Sequence, residues 1–164
     1  MNNTHFAQYV PPTAMHAVTG TWTEAAGAVA GTICLHKAAN TETSILTVPI
    51  IVPSNSVALQ GAKLVSVEFD YEQLLAGTTS TTIILNKITR GADGAVAVKS
   101  AVTITSTLDA TAAKAVGQRK QVCTLTTPEW VDNDVYYLLQ ATFVCGGTVT
   151  LDILSAVNNF VFKG

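Results

Sequence analysis

Alternation of apolar and polar residues with a period of two dominates the chain from residue 130 to residue 154. The alternating apolar positions before the glycine pair are Val135, Tyr137, Leu139, Ala141 and Phe143. After Gly146-Gly147 the alternation resumes at Val149, Leu151 and Ile153. Such a period restricts a chain to strands with one buried face, and two runs around a glycine pair indicate an antiparallel hairpin. We expect this hairpin to lie at the centre of an all-β domain.

Shorter runs of the same kind fill the rest of the sequence. They cover 16–23, 32–36, 43–52, 63–71, 82–88, 96–108, 121–127 and 160–163. Pro49 cannot donate to a ladder, so its strand is expected at a sheet edge or at a bulge. Residues 82–88 are apolar on both faces, which is typical of a strand covered on both sides. Roughly eight to ten short strands without an internal repeat predict a two-sheet antiparallel sandwich of jelly-roll type.

Charged residues are too few to cover the surface of an ordinary soluble monomer. They make up 12% of the 164 residues, against about a quarter in an average domain, while 48% are hydrophobic. Threonine, serine, alanine and glycine must therefore cover much of the outside. A surface of this kind suits a protein that buries its exterior against copies of itself or against a partner.

Charge and local composition argue against several function classes. The net charge is -2, and Arg90 and Arg119 stand apart, so no basic stripe is available for nucleic acid. Residues 1–10 contain no apolar core of a secretory signal, and the apolar run at 48–52 is too short to span a bilayer. We expect a chain that is made in the cytoplasm, is soluble there, and binds neither nucleic acid nor membrane.

Residues 1–14 differ from the rest of the chain. They are polar, contain Pro11-Pro12 and offer Phe6 and Tyr9 as apolar anchors. Because a proline pair holds the backbone extended and gives no donor to a sheet, we interpret 1–14 as an extended arm and 15–164 as the sandwich domain. The arm is either a disordered tail or a strap that docks on a neighbouring subunit.

Residues that carry catalysis or bind metal occur without the required spacing. Cys34, Cys123 and Cys145 form no C-x-x-C pair and lie in strand-like runs, so we expect free, buried cysteines. Cys34 and His36 share a strand face, but no second pair of ligands accompanies them. The Asp132-Asn133-Asp134 sequence lacks the glycine and distal glutamate of a calcium loop, and an Asx-rich turn is the simpler interpretation. We expect no metal and no cofactor.

Carboxylates offer one route to an enzyme. Glu68, Asp70 and Glu72 share a strand face at steps of about 7 Å, and glycosidases use carboxylate pairs. Acidic residues on the solvent side of a strand are far commoner, and no nucleophile elbow or phosphate loop is present. We expect no enzymatic activity, since a hydrolase would need a deep pocket holding two of these carboxylates or one of them with Asp132.

Aromatic residues allow a binding interpretation. Trp22, Trp130, Tyr136 and Tyr137 could form a stacking platform for a glycan, and Trp130 and Tyr136 are the candidates beside loops. An indole at a strand end more often closes the end of a sandwich core. Both interpretations stay open for the two tryptophans.

Three segments resemble small β-sandwich proteins of tailed-phage virions. They are 64–71, 81–89 and 126–143, the last with its Trp-Val-Asp-Asn-Asp-Val-Tyr-Tyr core. The resemblance lies in pattern and covers roughly the last hundred residues. It implies a structural subunit of the virion, commonly a homotrimer, that acts as a capsid decoration (cement) protein or as a fibre or appendage subunit. It implies no catalytic residues.

A decoration protein would bridge neighbouring capsomers and stabilise the assembled shell by binding it and not the free subunit. The implied partners are further copies of the chain and the major capsid protein or another virion protein. We expect the outer contacts to come from the arm and from the alanine-rich loop 109–120, through Phe6, Tyr9, Pro11, Pro12, Lys114, Arg119 and Lys120. The alternative is a glycan-binding receptor-recognition head that uses Trp130 and Tyr136.

Overall fold

The computed structural model describes residues 4–51, 62–95, 97–130 and 134–162. The strands in these ranges are β1 Thr4–Val10, β2 His16–Thr19, β3 Trp22–Ala26, β4 Ile33–Lys37, β5 Glu42–Ile50, β6 Ala62–Gln73, β7 Thr78–Thr89, β8 Val98–Val102, β9 Ile104–Ser106, β10 Gly117–Trp130, β11 Val135–Cys145 and β12 Leu151–Phe162. Short 3-10 turns occur at Pro12–Ala14, Ala92–Gly94 and Ala112–Lys114. Within the described ranges no helix has the length and apolarity to cross a membrane.

The strands form two antiparallel sheets. Sheet A has the order β3-β4-β12-β6-β10-β9, with β1 also paired to β12, and sheet B has the order β2-β5-β11-β7-β8. Alternate side chains of both sheets meet between them, where the rings of Phe69, Tyr71 and Phe143 pack at centroid distances of 5.5 to 6.5 Å. The predicted all-β, two-sheet antiparallel sandwich of jelly-roll type is confirmed.

The prediction of a central hairpin at 130–154 is wrong. β11 lies in sheet B between β5 and β7, whereas β12 lies in sheet A beside β6, so the Gly146-Gly147 turn carries the chain from one sheet to the other. Period-two alternation fixes which face of a strand is buried, but it does not fix the partner. Two runs around a glycine pair therefore fit a crossing between sheets as well as a hairpin.

Two other alternating runs also change sheet. The run at 16–23 divides into β2 of sheet B and β3 of sheet A at Gly20, whose φ of 94° suits glycine. The run at 96–108 divides into β8 of sheet B and β9 of sheet A. Among the residues described at the crossings, only Trp22, Val102 and Ile104 pack against the core, and all four residues of β2 are exposed, so the alternation seen in the sequence continues through each break without marking it.

Two expectations about strand position have separate outcomes. Pro49 pairs with Leu138 on one side and lies beyond the end of β2 on the other, so its missing donor is tolerated, but β5 itself lies between β2 and β11 and is not the edge strand that was expected. β7 is central in sheet B, with Ile83 and Leu85 directed to the core and Ile84 directed outward, where it is half-buried. On the same outward side Asn86 and Ile88 are buried, at 3% and 7% exposure, so β7 is covered on both sides only toward this end.

The N-terminal segment is extended from Thr4 to Val10. It pairs with β12 of the same chain along its whole length, from Thr4 opposite Phe162 to Val10 opposite Ala156. Val10 is buried in the core, and a 3-10 turn that starts at Pro12 follows. The described part of the arm thus adds a strand to sheet A.

Candidate functional site

The two outer faces of the sandwich differ in charge. The outward side chains of sheet A include seven ionisable groups, namely His36, Lys63, Glu68, Asp70, Glu72, Lys120 and Asp152. Four of them form two pairs across the strands. Lys120 bridges to Glu68, and the Nδ1 atom of His36 lies 2.6 Å from Oδ1 of Asp152. The outer face of sheet A is therefore a hydrated, ionised surface.

Glu68 lies at the centre of this ionised face. Lys120 and Asn159 both reach it, the amide of Asn159 donating to Oε1 at 3.1 Å. The hydrogen bond from Lys120 holds the pKa of the Glu68 carboxyl below its ordinary value of 4.5. Glu68 is thus ionised at neutral pH, and its contacts join β6 to β10 and to β12.

The outer face of sheet B carries no Asp, Glu, Lys or Arg on the described outward positions of its three long strands. These positions are Thr43, Ile45, Thr47 and Pro49 on β5, Ser80, Thr82, Ile84, Asn86 and Ile88 on β7, and Tyr136, Leu138, Gln140, Thr142 and Val144 on β11. Tyr136 is 45% exposed and Val144 37%, and Ile51 just beyond β5 is 61% exposed. Lys99 on β8 marks one border. We call this surface the neutral face.

An ion-pair network closes one end of the sandwich. Glu129 on β10 of sheet A accepts hydrogen bonds at Oε2 from Lys87 Nζ at 2.7 Å and from the Tyr137 hydroxyl at 2.8 Å, both on sheet B. Burial alone would raise the pKa of Glu129, but these hydrogen bonds and the Lys87 charge outweigh it and hold the pKa below its usual value. The network joins the sheets where the core ends.

A cleft of about 470 Å³ opens on the outer face of sheet A. Its walls are the segment from Tyr9 to Thr13 and the loop between β3 and β4, and its floor contains Gln118, Leu154 and Ser155. The pairing of β12 with β6 shifts between Ile153 and Ser155. Such a bulge re-aims side chains, and here consecutive residues Leu154 and Ser155 both line the cleft. We call it the sheet A cleft.

The predicted interface residues of the arm have different surroundings. Phe6 packs on its own chain, with ring centroids 5.7 Å from Phe162 and 6.1 Å from Phe160, and Pro12 is buried. Tyr9 is 62% exposed and, together with Pro11, lines the sheet A cleft. Docking of this segment on a neighbouring subunit stays a prediction.

The predicted interface cations are engaged by their own chain. Lys114 donates to the Thr79 carbonyl at 3.2 Å, and Arg119 donates to the carbonyls of Val116 at 2.6 Å and Gln118 at 2.9 Å. Lys120 is paired with Glu68. The predicted loop 109–120 contains the 3-10 turn Ala112–Lys114, and its last residues belong to β10, which begins at Gly117.

The predicted stacking residues do not form one platform. Trp130 lies on sheet A with Lys63 Nζ 4.7 Å from its ring centroid, and Tyr136 lies on the neutral face of sheet B. Their side chains therefore point to opposite outer surfaces. Trp22 closes the core instead, packing edge-on against Phe143 and donating from Nε1 to the Thr19 carbonyl. This is the placement that the core interpretation predicts for that indole.

The residues considered for catalysis and metal binding are also accounted for. Glu68, Asp70 and Glu72 share the outer face of sheet A, and of these only Glu68 lines a described cleft, one of about 370 Å³ beside β1. The three cysteines are free and buried, as predicted. In the part of the chain that the structure describes, no group of three His, Cys, Asp or Glu side chains could hold a metal ion. Asp132 and Asn133 lie outside the described residues.

The floor of the sheet A cleft was not predicted from the sequence. Gln118, Leu154 and Ser155 belong to strands far apart in the chain, and their relevance depends on the bulge in β12. The local signal is a break in the alternation. The apolar residues Ile153 and Ala156 are separated by two residues, Leu154 and Ser155, so the period of two is lost there. A bulge can be inferred from such a break, but a cleft cannot.

No family model matches the chain, and no curated protein does either. Among solved structures, similarity is found to the CBM22-1 and GH10 modules of Clostridium thermocellum endo-1,4-β-D-xylanase 10B complexed with xylohexaose, at a TM-score of 0.46 and 10% identity over 94% of this chain and 27% of that one. The module TmCBM61 in complex with β-1,4-galactotriose matches at a TM-score of 0.38 and 12% identity, over 96% of this chain and 88% of that one. A cleaved adhesin domain of Porphyromonas gingivalis Lys-gingipain matches at a TM-score of 0.37 and 12% identity, over 96% of this chain and 91% of that one. This chain spans about a quarter of the xylanase chain.

Proposed function

We propose that the protein is a structural subunit of a virus particle, a decoration protein of the capsid that docks through its neutral face. The observation that carries this proposal is the separation of charge between the two outer faces. Sheet A carries paired ions and is suited to water, whereas the long strands of sheet B present Thr, Ile, Leu, Val and Tyr outward. A face without ions can be covered by another protein without the cost of desolvating charge.

The size of the neutral face is compatible with this role. A strand spacing of ~4.8 Å and a rise of ~3.3 Å per residue give the strands of sheet B a face of roughly 650 Å². A stable interface buries about 800 Å² on each partner. The face therefore supplies most of one standard contact, and its lack of charge allows another protein surface to cover it without desolvating ions.

The pattern of β7 supports the same conclusion. Its outward Ile84 is an apolar, half-buried residue on the side that faces away from the core, whereas Ile88 near the end of the strand is already buried by this chain. An alternating strand whose outer side faces water would carry polar residues there. Further copies of the chain and a major capsid or other virion protein are the partners that we propose, with a homotrimer as the unit.

Charge insertion tests the role of the neutral face. Thr82→Lys places a cation at an exposed position in the middle of that face, and Thr124→Lys places one at an exposed strand position on the outer face of sheet A. We expect Thr82→Lys to weaken self-association at least about tenfold, because an unpaired charge would be buried. We expect Thr124→Lys to leave it unchanged. Analytical ultracentrifugation measures both.

Particle composition tests the role in a virion. We expect the chain in purified particles at a copy number near that of the major shell protein, with shells lacking it opening at lower temperature. A few copies per particle would favour the fibre or appendage alternative. A monomer at millimolar concentration, or equal weakening by the two lysine variants, would overturn the proposal for the neutral face.

A further inference from the structure

The sheet A cleft has walls that the chain holds in place. In the loop between β3 and β4, the Gly27 amide donates to the Thr32 carbonyl at 2.9 Å, and the Thr32 amide donates to the Val29 carbonyl at 3.0 Å. On the opposite wall, the amides of Ala14 and Met15 donate to the carbonyls of Pro11 and Pro12 at 3.0 Å. Both walls are hydrogen-bonded turns, so the cleft is formed before any ligand arrives.

The lining of the cleft is uncharged. It combines apolar surfaces from Tyr9, the proline pair, Val29 and Leu154 with hydrogen-bonding groups from Thr13, Thr32, Gln118 and Ser155. Tyr9 presents most of its ring to solvent at the rim. A ring of this kind offers a flat apolar face with a polar tip and loses little conformational entropy on binding.

Two carboxylates just outside the lining restrict the charge of a ligand. Ser155 donates to Oδ2 of Asp70 at 2.7 Å, and Gln118 lies opposite Glu72 in the pairing of β10 with β6. The Ser155 oxygen is thereby left to accept a hydrogen bond, and the two carboxylates repel an anion. An anionic ligand is therefore disfavoured, and an uncharged ligand that donates hydroxyl hydrogen bonds and has an apolar face for Tyr9 matches the uncharged lining.

A saccharide without acidic groups has this chemistry, since a pyranose ring presents C–H bonds on its faces and hydroxyl groups around its rim. We propose that the sheet A cleft binds a neutral oligosaccharide, with Tyr9 stacking on one ring and with Gln118 and Ser155 hydrogen-bonded to its hydroxyls. The volume of about 470 Å³ falls within the range of small-molecule sites. This inference does not depend on the neutral face, which lies on the other sheet.

The test is calorimetric titration of the full chain with neutral tetrasaccharides and with anionic ones of equal length. The neutral probes are β-1,4-glucan, β-1,4-xylan, β-1,4-galactan and α-1,4-glucan, and the anionic probes are oligogalacturonate and a heparin fragment. We expect at least one neutral probe to bind and the anionic probes not to bind. Tyr9→Ala is expected to weaken binding about tenfold, with Tyr9→Phe close to the wild type.

Trp130→Ala is the matched control, because Trp130 is an exposed aromatic residue on the same sheet, outside the cleft. We expect it to leave the affinity within about twofold. If Tyr9→Ala lowers the unfolding temperature, Gln118→Ala becomes the deciding variant, and we expect it to weaken saccharide binding. The exposed side chain of Gln118 contributes to the cleft and not to the core. No binding of any neutral probe at millimolar concentration, a preference for the anionic probes, or equal losses in Tyr9→Ala and Trp130→Ala would overturn the proposal.

Discussion

Glu129 shows how much one side chain contributes where two sheets meet. It accepts from Lys87 and Tyr137, so a strand of sheet A is tied to two strands of sheet B at the end of the core. Tyr137 is fully buried, and its hydroxyl needs this acceptor. Removing the acceptor charge would leave both donors with a weaker partner.

We therefore expect Glu129→Gln to lower the free energy of unfolding by about 1 to 3 kcal/mol. Urea denaturation at pH 7 measures the loss. Glu24→Gln is the control, because Glu24 is exposed on the outermost strand of sheet A, and its effect should stay within about 0.5 kcal/mol. Equal effects of the two substitutions would contradict a role for the network.

The lowered pKa of Glu129 also gives stability a dependence on pH. A carboxyl whose pKa is lower in the folded state than in the unfolded chain stabilises the fold above its ordinary value of 4.5, and this contribution is lost as the pH falls through the folded value. We expect wild-type protein to lose more stability between pH 6 and pH 3 than Glu129→Gln does. Denaturation curves at several pH values test this, and parallel curves for the two proteins would count against it.

At the scale of elements, the crossings between sheets decide the topology. Sequence patterning predicted the strands and their buried faces well, because Leu139, Phe143, Leu151 and Ile153 follow the period that a pleated strand requires. It mispredicted the partner of β11 because the pairing of β11 with β5 and β7 depends on residues far away in the chain. Local alternation gives no information about such long-range contacts.

Gly20 makes one of these crossings and gives a test of it. Its φ is 94°, and a Cβ atom added there would lie 2.5 Å from Oγ of Ser44, whereas Gly31 has a φ of 84° and nothing within 4 Å of the same position. We expect Gly31→Ala to cost about 1 kcal/mol from backbone strain alone. Gly20→Ala should cost at least ~2 kcal/mol because overlap is added to that strain. Thermal unfolding compares them, and equal costs would show that the approach to Ser44 is unimportant.

The candidate sites illustrate the same limit of sequence information. Tyr9 and Pro11 could be singled out from the sequence as anchors in a polar segment, but the cleft that they line also needs Gln118 and Ser155. Trp130 and Tyr136 are close in sequence and point to opposite surfaces, because the chain passes from β10 of sheet A to β11 of sheet B between them. Sequence proximity is a poor guide to a shared surface in a sandwich.

For the whole molecule, the separation of charge between the two outer faces predicts how association responds to salt. Contacts between uncharged surfaces are not screened, whereas ion pairs weaken as the Debye length shortens from about 10 Å at 0.1 M. We expect the self-association constant to change less than about twofold between 0.05 and 0.5 M NaCl. Sedimentation at both salt concentrations measures it, and a tenfold decrease at high salt would point to the ionised face instead.

The place of β12 in sheet A has a consequence for synthesis on the ribosome. This strand pairs with β1, β4 and β6, so segments from the start and the middle of the chain find their neighbour only after residues 151–162 have emerged. Until then one edge of β6 and the whole of β1 lack the strand with which they pair. Nascent chains that stop before residue 151 should accordingly be protease-sensitive and captured by chaperones, and the domain should acquire its shape late and in one step.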